Sequence, residues 1–188
     1  SLQRSMVDLV QIVKQAEEVA RMPCERSGQE LVVELTDESI WTYADGARLL
    51  QVCTNLLHNA CKFTPNGGRV AISLKREGDD AVIRVHDNGM GIPAAELARI
   101  FTLFTQADDP EGIPKKEGLG IGLSLVRLLT EMHNGTVTAY SEGKGMGSEF
   151  TVRIPIVHQE AQPVQPVHDG SGTRPRKVLV VDDNRDAA

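Results

Sequence analysis

The spacing of apolar positions changes several times along the chain, and each change marks an element. In residues 5–22, SMVDLVQIVKQAEEVARM, Val7, Val10, Val13 (or Ile12), Ala16 and Ala20 recur every three to four positions. That period predicts an amphipathic helix, and Pro23, which lacks an N–H and crowds the preceding turn, should end it. ELVVELTD predicts a strand and SIWTYADG a second, shorter one. Asp45 is an N-cap candidate for a helix from about 46 to 62, with Leu49, Val52/Cys53, Leu56 and Ala60 as its apolar stripe. TPNGG then turns the chain.

RVAISLKREGDDAVIRVHDNG alternates on both sides of an EGDD turn and predicts a hairpin. IPAAELARIF opens a short helix with Pro93 in its first turn. Residues 105–117, TQADDPEGIPKKE, have almost no apolar anchor and read as a long mobile loop. GLGIGLSLVRLLTEMHNG is an apolar helix with a glycine-rich start and an Asn134-Gly135 C-cap. TVTAYSEGKGMGSEFTVRIPI gives a last hairpin. Strands in hairpins, with helices to cover one face, predict an α/β two-layer sandwich.

One stretch breaks its own pattern. In NLLHNACKFT, Leu56, Leu57, Ala60 and Cys61 suit a buried helix, whereas Asn55 and Asn59 compete with the backbone for hydrogen bonds. Asn55, Asn59 and Lys62 stand at i, i+4 and i+7 and so share one narrow stripe. Two amides and an ammonium on one face either satisfy loop backbone groups or hold a ligand.

The 188 residues allow one good domain and an appendage, and 40% hydrophobic with 24% charged residues is ordinary for a soluble globular protein. A net charge of −6 argues against nucleic acid or an anionic membrane as the main partner. Cys24, Cys53 and Cys61 form an odd set without metal-type spacing, which suits reduced buried thiols in a cytoplasmic domain. No apolar run is long enough to span a bilayer and no signal peptide is visible; a parent anchored in a membrane elsewhere is compatible with this. Both ends read as cuts in a longer chain. Residues 157–176, rich in Pro, Gln, Gly and Ser, read as a linker, followed by the short apolar strand and acidic pair of KVLVVDDNRDAA.

Three glycine-dense segments sit at element ends: Asp87–Ile92 after a strand, Gly118–Leu123 before a helix, and Gly143–Ser148 before the last strand. A glycine-rich helix start presents free N–H groups and the positive end of the helix dipole, which suits phosphate. It is neither a Walker loop nor a dinucleotide fingerprint. Beside it the polar stripe gains a purpose, because magnesium takes oxygen ligands while bridging nucleotide phosphates, and an Asn oxygen is a suitable neutral ligand.

Asn55–Thr64, Asp87–Ile92, Phe101–Phe104, Gly118–Leu123 and Gly145–Phe150 together resemble the N box, first glycine box, F box, second glycine box and last glycine box of sensor histidine kinases, in that family's order and spacing. The resemblance covers about Leu31 to Pro155. It implies a catalytic ATP-binding domain of Bergerat fold, as in type II topoisomerases, heat-shock chaperone ATPases and mismatch-repair proteins. That fold is a mixed, mostly antiparallel sheet covered on one face by about three helices, with a mobile ATP lid. By resemblance, residues 1–26 would be a helical lead-in from the dimerisation hairpin region, 27–156 the catalytic domain, 157–176 the linker and 177–188 the start of a receiver domain.

The resemblance also assigns roles. Asn59 would ligate magnesium, with Asn55 lining the same site; Lys62 would reach the phosphates and Phe63 would pack on the nucleotide. Asp87 would accept a hydrogen bond from the adenine amino group, while Gly89, Gly91 and Ile92 shape the pocket floor. Phe101 and Phe104 would anchor the lid hinge, with Gln106, Lys115 and Lys116 as lid contacts to phosphate. Gly118, Leu119, Gly120, Ile121, Gly122 and Leu123 would form the phosphate-binding turn, and Ser148 would stand near the base. Hydrolytic relatives carry a glutamate where Asn55 stands, so the pattern favours phosphoryl transfer to another acceptor, achieved by positioning and electrostatics.

A histidine kinase also needs an acceptor His on a dimerising helical hairpin. His58, His86, His133, His158 and His168 all lack that setting, so the acceptor is expected on a hairpin upstream of this piece, in a homodimeric parent. Asp182 and Asp183 resemble the acidic pair that helps hold magnesium in a receiver domain. The resemblance thus implies transfer of the γ-phosphoryl of ATP to a histidine and then to a receiver aspartate. The alternatives are an ATP-hydrolysing relative and a docking module that binds no nucleotide.

Overall fold

A computed structural model of the chain describes residues 2–102 and 121–157, all within one unit, Ser1–His158. In chain order the elements are β1 (Ser5–Asp8), α1 (Leu9–Arg26), β2 (Glu30–Glu34), β3 (Trp41–Ala44), α2 (Gly46–Phe63), β4 (Arg69–Glu77), β5 (Asp80–Asp87), α3 (Ala94–Leu97), α4 (Gly122–Met132), β6 (Thr136–Tyr140) and β7 (Ser148–Pro155). The main sheet has the order β2-β4-β5-β7-β6. β2 runs parallel to β4, and the remaining pairs are antiparallel.

Strand alternation decides the layers. Val70, Ile72 and Leu74 of β4 pair across β5 with Asp87, Val85 and Ile83, and those in turn with Ser148, Phe150 and Val152 of β7. This face is buried beneath α1, α2 and α4. The core is therefore a single apolar layer between sheet and helices, with Asp87 and Ser148 as its polar end. On the opposite face Glu77 accepts hydrogen bonds from Arg84 and Arg153, at 2.6 and 2.8 Å. Those two contacts, Arg84 first, hold the Glu77 carboxyl below the usual carboxylate range; being half-exposed, the pairs add little stability.

The N-terminal segment departs from the expected single helix. Ser5–Asp8 is a strand that pairs antiparallel with β3, not with the main sheet. Asp8 then caps α1, its Oδ1 accepting from the Val10 and Ile40 N–H groups at 3.0 and 3.2 Å. Pro23 does not stop the helix, which continues to Arg26. Proline removes only one donor this close to a helix end, and the extra turn buries Cys24. The stop comes at Ser27-Gly28, where the Gly28 N–H reaches Glu25 O and the Gln29 N–H reaches Cys24 O, both at 2.9 Å, a Schellman closure. Leu9, Val13 and Ala16 of α1 belong to the same core as α2 and the sheet.

α2 starts at the expected cap: Asp45 Oδ1 accepts from the Arg48 N–H and Oδ2 from the Gln3 N–H. These bonds, Gln3 first, hold the Asp45 carboxyl below its ordinary value of 3.8. A carboxylate with a depressed folded-state pKa stabilises fully above the unfolded value and loses that contribution as pH falls through the folded one. As pH falls below about 4, Asp45→Asn should therefore lose stability less steeply than the wild type in urea titrations; parallel slopes would remove Asp45 from the acid response.

Candidate functional site

The C-terminal ends of α2 and β5, the start of α4 and the loop before β7 converge at one end of the sheet's central strands. Asp87, the last residue of β5, is only 2% exposed. Its Oδ2 accepts from Ser148 Oγ at 2.6 Å and its Oδ1 from the Gly89 N–H at 2.8 Å. A carboxylate has about four acceptor positions, so these two bonds leave Asp87 with acceptor capacity. Asp87 and Ser148 are cross-strand partners, which is why serine, the first residue of β7, meets the carboxylate.

The first and last glycine boxes interlock. Gly145 N–H donates to Met90 O at 2.6 Å and Gly147 N–H to Gly89 O at 3.1 Å. At Gly91 (φ +70°) a Cβ would overlap the Gly143 carbonyl, and at Gly147 (φ +69°) it would overlap that of Asp87. Only glycine allows both the left-handed backbone and this approach. The first box is also tied to α2, since the Met90 N–H donates to Phe63 O at 3.0 Å.

Asn55, Asn59 and Lys62 lie half-buried on α2, followed by Phe63, which is 38% exposed. Lys62 Nζ stands 5.3 Å from the Phe63 ring centroid, a cation–π contact. A Cβ on Gly122 would lie 3.9 Å from Asn59 Nδ2, so the α2 stripe faces the start of α4. Ile121 precedes that helix and is exposed, while Leu123 packs against the core. Ile92 packs there too, and Phe101 meets Phe150 edge-on at 6.3 Å. Among the described residues the structure thus brings together Asn55, Asn59, Lys62, Phe63, Asp87, Gly89, Gly91, Ile92, Gly122 and Ser148. Phe104, Gln106, Lys115, Lys116, Gly118, Leu119, Gly120, Asp182 and Asp183 lie outside the described residues, as do the expected lid, His158 and His168.

Some residues matter more than their sequence pattern suggested. Asn88 Oδ1 accepts from the Arg69 N–H at 2.7 Å and its own N–H donates to Arg69 O at 3.1 Å, clipping the loop to the start of β4; an Asn after a strand is the signal for such a clip. Buried His133 bonds Leu129 O through Nδ1 at 2.7 Å and accepts the Asp45 N–H at Nε2 at 3.0 Å. That is a neutral tautomer tying the end of α4 to the cap of α2. Gln29 donates from Nε2 to Cys61 O and Thr64 O, capping the C-terminal end of α2. The cysteines are free; burial pushes the Cys53 thiol up to about 12, and burial followed by the neighbouring Cys24 does the same for Cys61. Both are protonated at neutral pH.

No group of three His, Cys, Asp or Glu side chains among the described residues could hold a metal, and none of their helices is long and apolar enough to cross a membrane. A magnesium ion bound together with a nucleotide would need few protein ligands, because phosphates and waters complete its shell. The amides of Asn55 and Asn59 fit that demand.

Residues 44–158 match the family of histidine kinase-, DNA gyrase B- and HSP90-like ATPases, and the chain belongs to it. Its domain is homologous to the catalytic domains of sensor histidine kinases. It is 36% identical over 151 residues to the adaptive-response sensory kinase SasA of Thermosynechococcus vestitus, covering 80% of this chain and 39% of that protein. To the sensor histidine kinase RcsC of Escherichia coli it is 41% identical over 131 residues, covering 69% of this chain and 13% of that one. This chain therefore spans well under half of either relative. Among solved structures, a mycobacterial sensor histidine kinase, MprB, superposes with a TM-score of 0.70 at 25% identity, covering 81% of this chain and 97% of that one. Full-length ShkA in complex with AMPPNP gives 0.73 at 28% identity, covering 84% and 32%.

Proposed function

We propose that this chain carries the ATP-binding catalytic domain of a hybrid sensor histidine kinase. Its task there is to present the γ-phosphoryl group of ATP to a histidine on an upstream dimerisation hairpin, from which it passes to a receiver aspartate. The observation that carries this reading is a buried, incompletely used carboxylate, Asp87, at the floor of two interlocked glycine loops, with the Asn59–Lys62 stripe facing the start of α4 beside it.

Within this reading the residues take the following parts. Asp87 accepts the exocyclic amino group of adenine, with Ser148 fixing the orientation of its carboxylate. Gly89, Gly91 and Ile92 let the base approach the loop backbone, and Phe63 packs on the nucleotide. The α4 N-terminus, preceded by Gly118, Leu119 and Gly120, offers backbone donors to the phosphates, and Lys62 adds charge. Asn59, with Asn55, would hold magnesium, which would supply charge neutralisation of the phosphates when bound with ATP. Asn55 cannot accept a proton from water, which supports transfer over hydrolysis. Phe101, which meets Phe150 edge-on, anchors the lid hinge together with Phe104, and Gln106, Lys115 and Lys116 are the lid contacts to phosphate. Of the described histidines, His58 lies on α2 and His86 on β5, within the ATP-binding fold and not on a dimerising hairpin, and His133 is held in backbone bonds, so the acceptor is assigned to the upstream hairpin. Residues 157–176 then serve as linker, and 177–188, with Asp182 and Asp183, open the receiver domain.

Equilibrium titration of the chain with ADP and with GDP tests this reading. An Asp87 acceptor favours the amino group of adenine over the carbonyl of guanine, so GDP should bind at least about tenfold more weakly. Equal affinity for the two, or none for either, rules the assignment out.

A further inference from the structure

Between β6 and β7, Ser141 holds together two loops that are far apart in sequence. Its Oγ accepts from the Ile92 N–H at 2.9 Å and from the Gly143 N–H at 3.2 Å, and donates to Gly147 O at 2.6 Å. A second carbonyl, Gly143 O, lies farther away at 3.4 Å. A serine hydroxyl has one proton to give and two lone pairs to offer, and here all three are committed to loop backbone. Ile92 is the last donor of the first glycine box, because Pro93 has no N–H. On the other side, Gly147 carries the N–H that binds Gly89 O and is followed directly by Ser148, the partner of Asp87.

We propose that Ser141 is a positioning residue of the nucleotide site, stapling the loop after β5 to the loop before β7 so that Asp87 and the glycine backbone keep one arrangement. This rests on the nucleotide reading of that site. Ser141 touches no reacting atom; it acts through Ile92 and Gly147. Without its hydroxyl the Ile92 N–H and the Gly147 carbonyl lose their side-chain partner, and the bonds from Gly145 to Met90 and from Gly147 to Gly89 must hold the loops alone.

The test compares wild type, Ser141→Ala and Ser141→Thr in ADP titrations at a temperature where circular dichroism shows all three folded. Amide exchange of Ile92, Gly145 and Gly147 is followed in parallel. Ser141→Ala should bind ADP about tenfold more weakly, as expected when two part-buried hydrogen bonds are lost, with faster exchange at those three amides. Ser141→Thr, which keeps the hydroxyl, should recover most of the affinity. A folded Ser141→Ala protein with wild-type ADP affinity overturns the staple even if its melting temperature drops, since a purely structural role predicts that result. If Thr binds no better than Ala, the hydroxyl is not the cause and the proposal fails. Absence of ADP binding by the wild type is a different failure: it removes the nucleotide reading, and the staple's purpose with it.

Discussion

Asp87→Asn should weaken ADP binding at least about tenfold without unfolding the protein, because a hydrogen bond to a charged group contributes about 1.5–3 kcal/mol. The substitution keeps shape and volume but replaces one acceptor oxygen by a donor amide. Ser148 Oγ and the Gly89 N–H both donate to this side chain. The Ser148 hydroxyl can turn and accept from the new amide, whereas the Gly89 N–H must still find an oxygen. The amide nitrogen is then left where, on the proposed reading, the adenine amino group would also bring a donor. Two donors facing each other in a site only 2% exposed to solvent have no water to relieve them. Calorimetry with ADP, alongside a thermal melt, separates the two possibilities: lost affinity with a near-native melt is the expected result. Unchanged affinity would take Asp87 out of base recognition.

Gly147→Ala carries a large expected structural penalty. At φ +69° an L-residue is strained, and the added Cβ would overlap the Asp87 carbonyl and stand 3.0 Å from Asn88 Cα. Both neighbours are backbone and cannot swing away. Strain and displacement together should cost at least about 3 kcal/mol and push Asp87 out of register with Ser148, so nucleotide binding should fall as well. Gly145→Ala is the control. Gly145 also has positive φ, +81°, yet a Cβ there meets nothing within 4 Å, so only the conformational cost of about 1–2 kcal/mol remains. Denaturant titrations should rank wild type above Gly145→Ala and Gly145→Ala well above Gly147→Ala. Equal losses for the two variants would mean that conformation alone matters and the loops are not tightly apposed.

Elements whose burial repeats at one clear period were legible in the sequence. The β4–β5 hairpin, α2 with its Asp45 cap, and α4 ending at Asn134-Gly135 follow from alternation, helical spacing and capping chemistry. At the last of these, Asn134 takes φ +59° and the Gly135 N–H returns to Thr130 O, a Schellman closure. Short or ambiguous signals were not legible. Ser5–Asp8 is too brief to show a period, and Val7 fits a helix stripe as well as a strand, so only its pairing with β3 decides the matter. Pro23 was overruled by the burial of Cys24 one residue later.

The same division holds for the site. Residue types and box order were visible in the chain, and the amide stripe on α2 could be recognised as out of place on an apolar helix. What joins the boxes was not visible, because it is backbone meeting backbone: Gly91 against Gly143, Gly147 against Asp87, Gly122 opposite Asn59. Such contacts leave only a glycine in the sequence, and glycine has many other uses. The His133–Asp45 bond was hidden for a related reason, since its acceptor is a ring nitrogen and its donor a main-chain N–H far along the chain.

Central to the whole account is that the polar stripe of α2 is a metal–phosphate face. Calorimetric titration with a non-hydrolysable ATP analogue, with and without magnesium, on wild type and on Asn59→Ala, tests this most directly. Binding by the wild type should be enhanced by magnesium, and Asn59→Ala should lose that enhancement while largely retaining binding in the absence of magnesium. Magnesium enhancement of the same size in both proteins would contradict it, as would wild-type binding indifferent to magnesium.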